Sequence, residues 1–172
     1  MERIIMHWTA GQNTPNADEF QHYHFLYGNG LKFNGFYKPE DNINCNDGKY
    51  AAHTGGLNTG SIGMALCGML DFNSETKETK YPIKKIDVEN MCYDAAKLCK
   101  KYNIPITSKF IKTHFEVRQD VINGFIKRTK LTAANTGKID IIYLHCFPKL
   151  TAFQIGNFLR VKIKVYYDRL QK

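Results

Sequence analysis

Apolar and polar positions change period several times along the chain, and each change marks an element. Residues 2–8, ERIIMHW, form a short apolar run that predicts a buried strand with His7 near its end. The polar TAGQNTPN after it, punctuated by Gly and Pro, predicts a loop. A short helix is expected over residues 16–22, and YHFLYGNGLKFNGFY then predicts two strands about a GNG turn. KPEDNINCNDGKYAAHTGGLNTG is a long loop rich in Asn, Asp and Gly, a length that compact domains keep for function or disorder. It feeds a strand, SIGMALCGM, which is followed by the exposed polar tract NSETKETK.

From Asp87 onward, Val88, Met91, Cys92, Ala95, Leu98, Cys99 and Tyr102 fall at helical spacing with charge on the opposite side. KFIKTHFEV predicts another strand, carrying His114. A Gly- and Thr-rich connection leads to the apolar run KIDIIYL, and residues 150–170 predict a basic amphipathic helix. With no internal repeat and no dividing linker, these elements predict one α/β domain over residues 1–172. Its mixed central β-sheet would be flanked by α-helices, with a groove beside the strand ends.

Composition narrows the partners more than the fold. A chain of 172 residues, 43% of them hydrophobic, supports one well-buried core. There is no apolar run long enough to span a bilayer, and MERIIMHWTAG reaches Gly11 too early for a signal peptide, so a soluble protein made in the cytoplasm is expected. The formal charge of +8, from 24 Lys+Arg against 16 Asp+Glu, favours an anionic partner. The lysines are scattered and form no compact basic block, so specific nucleic-acid recognition is not expected. The five cysteines form no CxxC pair and read as reduced, mostly buried thiols.

Candidate chemistry lies at the ends of the predicted elements. His7 closes the first strand, His114 follows in THFEV and Asp140 in TGKIDI. Two neutral imidazoles and one carboxylate leave the fourth tetrahedral position of a zinc ion open, as hydrolysis requires. In an extended chain Lys138 and Asp140, two residues apart, share a face. Such a pair is either a surface ion pair or two parts of one site, and spacing alone does not separate these.

Five words of the sequence do. MHWTAG, YHFLYGNG, YAAHTGGLNTGSIGMALCGM, THFEV and GKIDI occur in order, within a motif-bearing region of about residues 3–145. In them the chain resembles the zinc-dependent N-acetylmuramoyl-L-alanine amidases of the amidase-2 type, a group that includes phage endolysins and is related to peptidoglycan recognition proteins. The resemblance implies a Zn2+ held by His7, His114 and Asp140, the last being cysteine in some relatives. It implies catalytic roles for Lys138, which would stabilise the oxyanion, and for Tyr23 in YHF. It makes His53 a substrate contact, and places Asn58 and Ser61 around the same glycine-rich turn, where substrate binding and loop fixing are both open.

Two departures stand out. Related muropeptide amidases carry a catalytic glutamate four residues after the serine of SIG, where this chain has Ala65, so Tyr23 would assume part of its role. Related lysins have proline directly after YL, where this chain has His145, read as a local substitution and not as a fourth ligand. Glu116 has no motif-assigned chemistry and is either an exposed side chain or one that orients a histidine.

The implied substrate is peptidoglycan and the implied setting is phage-encoded wall lysis after holin-type release. Cell-wall recycling and a non-catalytic recognition module are the alternatives. Oligomeric state is not legible.

Overall fold

The computed structural model describes residues 1–126 and 138–172. Its centre is a five-stranded sheet in the order β3-β2-β4-β1-β5, built from β1 (Arg3–Trp8), β2 (Phe25–Gly28), β3 (Leu31–Asn34), β4 (Ser61–Leu66) and β5 (Ile111–Thr113). β1 runs parallel to both β4 and β5, β2 runs parallel to β4, and only the β2–β3 hairpin is antiparallel. The sheet is therefore mixed, as the sequence predicts. The hairpin turns at Asn29 and Gly30, both with positive φ (55° and 80°), which is the backbone that a two-residue loop requires.

Alternation along β1 divides the molecule. Ile4, Met6 and Trp8 enter the main core with Ile62, Met64 and Leu66 of β4. That face is covered by α2 (Lys85–Tyr102) and α4 (Ala152–Arg169), which also pack on each other. α2 buries Val88, Met91, Cys92, Ala95, Ala96 and Cys99, and α4 buries Ile155, Leu159 and Ile163, each at helical spacing. Among the described residues, the opposite face carries two small apolar clusters. One gathers Tyr23, Leu26, Ala65 and Cys67; the other gathers Ile5 and Val117, with Leu57, Val121 and Ile126 against it. His7 lies on this second face, which α1 (Ala17–His22), the loop after β3 and α3 (His114–Ile122) complete.

One predicted element differs. The strand expected through KFIKTHFEV stops at Thr113, and His114 opens helix α3 instead. The cause is local: Thr113 Oγ1 accepts from the Glu116 amide at 3.2 Å, and the Glu116 carboxylate accepts from the Thr113 amide at 2.9 Å. This reciprocal capping box satisfies two backbone donors that a continued strand would have paired with a neighbour. The KIDIIYL run is not extended either, because Ile141 takes a left-handed turn at φ 62°. Most of the Gly- and Thr-rich connection before it lies outside the described residues.

Glu116 also ties α3 to α4. Its two carboxylate oxygens each lie 2.9 Å from an Arg160 guanidinium nitrogen, a bidentate pair, and Arg160 donates further to the Ile111 carbonyl at 3.0 Å. The carboxylate fits because residue 156 has no side chain: a Cβ there would stand 2.3 Å from it. Gly156→Ala should therefore destabilise the fold by about 1–3 kcal/mol, as overpacking does, and lower the thermal midpoint by several degrees.

Candidate metal centre

Three elements each deliver one side chain to the polar face of the sheet. His7 comes from β1, the buried strand between β4 and β5; His114 is the first residue of α3; Asp140 stands at the turn before Ile141. The Asp140 carbonyl accepts the Phe115 amide at 3.2 Å, filling one of the free donors in the first turn of α3 and docking the turn there. His7 and His114 are inaccessible to solvent, and Asp140 is 9% exposed.

Their donor atoms converge. His7 Nδ1 and His114 Nδ1 each lie 3.0 Å from Asp140 Oδ2, and 3.1 Å from one another. Bonds of about 2.0–2.1 Å to a tetrahedral zinc separate ligands by roughly 3.3 Å, so a shared ion fits this triangle with small adjustments. Two ring nitrogens facing one another at this distance have no favourable pairing when both are unprotonated, and a shared cation resolves that. Burial pushes the His7 imidazole down to about 4; its hydrogen bond to Asp140 opposes this, while His114 and Lys138 reinforce it. Burial alone would raise Asp140, but its hydrogen bonds to His114 and His7 hold the carboxyl well below the usual range. At neutral pH the set is thus a neutral imidazole and a carboxylate beside His114, the protonation states that a metal demands. Among the described residues these three form the one His/Cys/Asp/Glu group with metal-binding geometry. His145 is outside it, bonded through Nε2 to the Lys77 carbonyl at 2.8 Å.

A family model described as N-acetylmuramoyl-L-alanine amidase matches residues 1–131. The chain belongs to the N-acetylmuramoyl-L-alanine amidase family. No curated protein matches it in sequence. Among solved structures it is similar to the N-acetylmuramoyl-L-alanine amidase LysC from Clostridium intestinale URNW, with 20% identity over 70% of this chain and 74% of that one, at a TM-score of 0.46. A mutant form of PlyL shows 18% identity over 95% of this chain and 84% of its own, with TM-score 0.48. The Drosophila peptidoglycan recognition protein SD shows 18% identity over 69% and 70%, with TM-score 0.46.

The other candidate residues of this amidase-family site fall into two groups. Tyr23 follows α1 and sets its ring 5.2 Å from that of His7, in the small cluster with Ala65. Ala65 pairs in register with His7 across the β1–β4 ladder, so a methyl faces this part of the site. Burial, reinforced by Asp140 and Glu19, pushes the Tyr23 phenol far up, which leaves it a hydrogen-bond donor and never a phenolate near neutral pH. Lys138 is exposed, two residues before buried Asp140, and its charge acts on His7.

The structure uses the second group inside the loop. Ser61, fully buried, donates to the Leu57 carbonyl and accepts from Arg3 at 3.1 Å; Asn58 Oδ1 accepts the Thr54 amide at 2.7 Å. Both side chains make hydrogen bonds within or beside the glycine-rich turn. His53 is 3% exposed and points Nδ1 at His7 Nε2, 3.2 Å away.

Sequence reasoning did not single out His24, Asn42 and Thr54. His24 Nδ1 accepts the Gly63 amide at 2.9 Å, so its Nε2 carries the proton and donates to Asn42 Oδ1 at 3.0 Å. Asn42 Nδ2 in turn donates to the carbonyls of Ala51 and Asn58, at 3.0 and 3.1 Å. An interior Asn eighteen residues beyond a histidine carries no local signal, because the loop that joins them is irregular.

Burial lowers the His24 pKa from 6.5 to about 4. The unfolded chain therefore binds a proton on His24 between these values while the folded chain does not. Its contribution to stability is complete above pH 6.5 and disappears as pH falls towards 4. The loss expected from this group in the metal-free protein is about 2–3 kcal/mol, measured by urea unfolding at pH 7 and pH 4.5. His24→Gln should remove that share of the pH dependence and leave the share carried by the other buried imidazoles, His7 and His53.

Proposed function

We propose that the protein is a zinc hydrolase that cleaves the amide between N-acetylmuramic acid and L-alanine in peptidoglycan, acting as a phage-type endolysin in cell-wall lysis. The single observation that carries this reading is the convergence of His7 Nδ1, His114 Nδ1 and Asp140 Oδ2 within 3.0–3.1 Å of each other, in a chain of this amidase family. Two histidines and one carboxylate would hold Zn2+ and leave a position open to substrate. When bound, the metal supplies Lewis acidity to the scissile carbonyl and lowers the pKa of a water towards about 7.

The chain's own residues would do the rest. The carbonyl oxygen gains negative charge as the carbon becomes tetrahedral, and the exposed ammonium of Lys138 is the cation two residues from the carboxylate ligand that meets this charge. Tyr23, held protonated, donates a hydrogen bond beside His7 and orients the attacking water or the carbonyl. With Ala65 in place of a glutamate, no carboxylate from β4 competes for that position. Attack by water forms the new C–O bond, collapse of the tetrahedral carbon breaks the C–N bond, and the L-alanine nitrogen leaves with a proton from the attacking water.

No helix among the described residues is long and apolar enough to cross a membrane. The endolysin role would place the enzyme at the wall after a holin-type opening of the membrane. The net charge of +8 would draw it to an anionic envelope, an attraction that salt weakens.

The purified protein should bind about one zinc per chain, and His7→Ala, His114→Ala and Asp140→Ala should each lose most of it. Retention in all three variants sinks the metal assignment. Incubation with peptidoglycan should expose new L-alanine N-termini and leave reducing sugar ends unchanged. Binding without release of either would point to a recognition module. Lys138→Ala should keep its zinc and lose about 100- to 1000-fold in turnover.

A further inference from the structure

We infer that His53 is a positioning residue for the metal ligand His7, acting through its Nδ1, and that the long loop before β4 exists largely to hold this imidazole in place. The inference rests on the reading of His7 as a metal ligand.

His7 Nδ1 faces His114 and Asp140, so as a ligand it is bare and the ring proton sits on Nε2. That N–H is buried and needs an acceptor. Two groups reach it: His53 Nδ1 at 3.2 Å and Thr54 Oγ1 at 3.4 Å. Thr54 Oγ1 is also 3.0 Å from His53 Nδ1; the single lone pair of Nδ1 takes the His7 proton, and the hydroxyl oxygen stands beside it as the second, longer acceptor for the same N–H. Metal-bound histidines commonly lean on a carboxylate or a backbone carbonyl through the far nitrogen. A neutral imidazole in that place fixes the ring and its tautomer without adding negative charge behind the metal. The protein charge at the centre stays at the single negative of Asp140.

The acceptor is itself locked. The His53 ring lies on bare backbone at Gly63 of β4, where a Cβ would stand 2.5 Å from its Cγ and 2.6 Å from its Cδ2. The Gly63 amide is held by His24, whose partner Asn42 also takes the Ala51 amide at 2.9 Å. The Thr54 amide is held by Asn58. His24, His53, His7 and His114 thus form a row of imidazoles with successive ring centroids 5.7, 5.3 and 4.8 Å apart. The glycine of SIG and the histidine, threonine and asparagine of HTGGLN serve one end, the orientation of His7.

The other ring nitrogen of His53, Nε2, is buried with no partner among the described residues. That leaves a competing role as a donor to substrate, and the two roles use different atoms. The amide of Asn reaches the position of Nδ1, whereas the amide of Gln reaches that of Nε2. Zinc affinity of full-length His53→Asn, His53→Gln and His53→Leu, measured by competition with a zinc-binding dye alongside the metal-free thermal midpoint, separates them.

Positioning predicts that Leu and Gln weaken zinc binding about 10- to 100-fold while Asn stays within a few-fold of the parent, all at similar metal-free stability. The inference is overturned by parental affinity in all three variants, by equal losses in all three, or by retention in Gln and loss in Asn. Should the Leu variant not fold, the Asn–Gln comparison decides alone. Absence of zinc from the parent protein is seen before any variant is compared and refutes the metal-site reading itself.

Discussion

Two imidazole nitrogens and a carboxylate oxygen, 3.0–3.1 Å apart and almost cut off from water, make an arrangement that no single stretch of chain would adopt. Desolvation opposes any charge there, and hydrogen bonds between the groups decide which forms survive. The cost has to be met by rigid elements that leave the three side chains no alternative. β1 holds His7 between two parallel neighbours, the capping box aims the first turn of α3, and the Asp140 turn is sewn to that turn through the Phe115 amide.

The sheet separates cohesion from chemistry. One face carries the large apolar core with α2 and α4; the other carries two small clusters flanking His7, with a buried polar network between them. Buried polar groups stabilise only when they are paired, and here His24, Asn42, Thr54, Asn58 and Ser61 pair with backbone or with each other. A long irregular loop is thereby made as definite as a strand. The Arg160–Glu116 fork joins the two halves, since it links a helix of the core face to the helix that carries His114.

Legibility followed the range of the interactions involved. The hairpin, α1, α2 and α4 were readable because period, turn residues and capping are local signals. His114 was read as the ligand residue but placed on a strand, although T-x-x-E at Thr113 and Glu116 is a helix-start signature. The β-branched, apolar FIKT ahead of it outweighed that cue. Lys138 and Asp140 were expected to share the face of an extended chain. Instead the turn at Ile141 leaves Asp140 buried and Lys138 exposed. Asn58 and Ser61 were noticed for their place beside glycines, but their partners, Thr54 and Leu57 with Arg3, became visible only when the loop closed.

The sequence by itself determined most element types, the mixed α/β class, the amidase-family words and the identity of the three candidate ligands, because each is written in residue type, period or short motif. Tertiary structure alone decided that Nδ1 and not Nε2 of both histidines faces the site, that His53 stands behind His7, and that Glu116 is clamped by a helix beyond the family-matched segment. Those facts depend on where distant backbones come to rest. A ring's orientation is set by the shape and hydrogen-bonding groups of its cavity, and no local pattern encodes the far wall of a cavity.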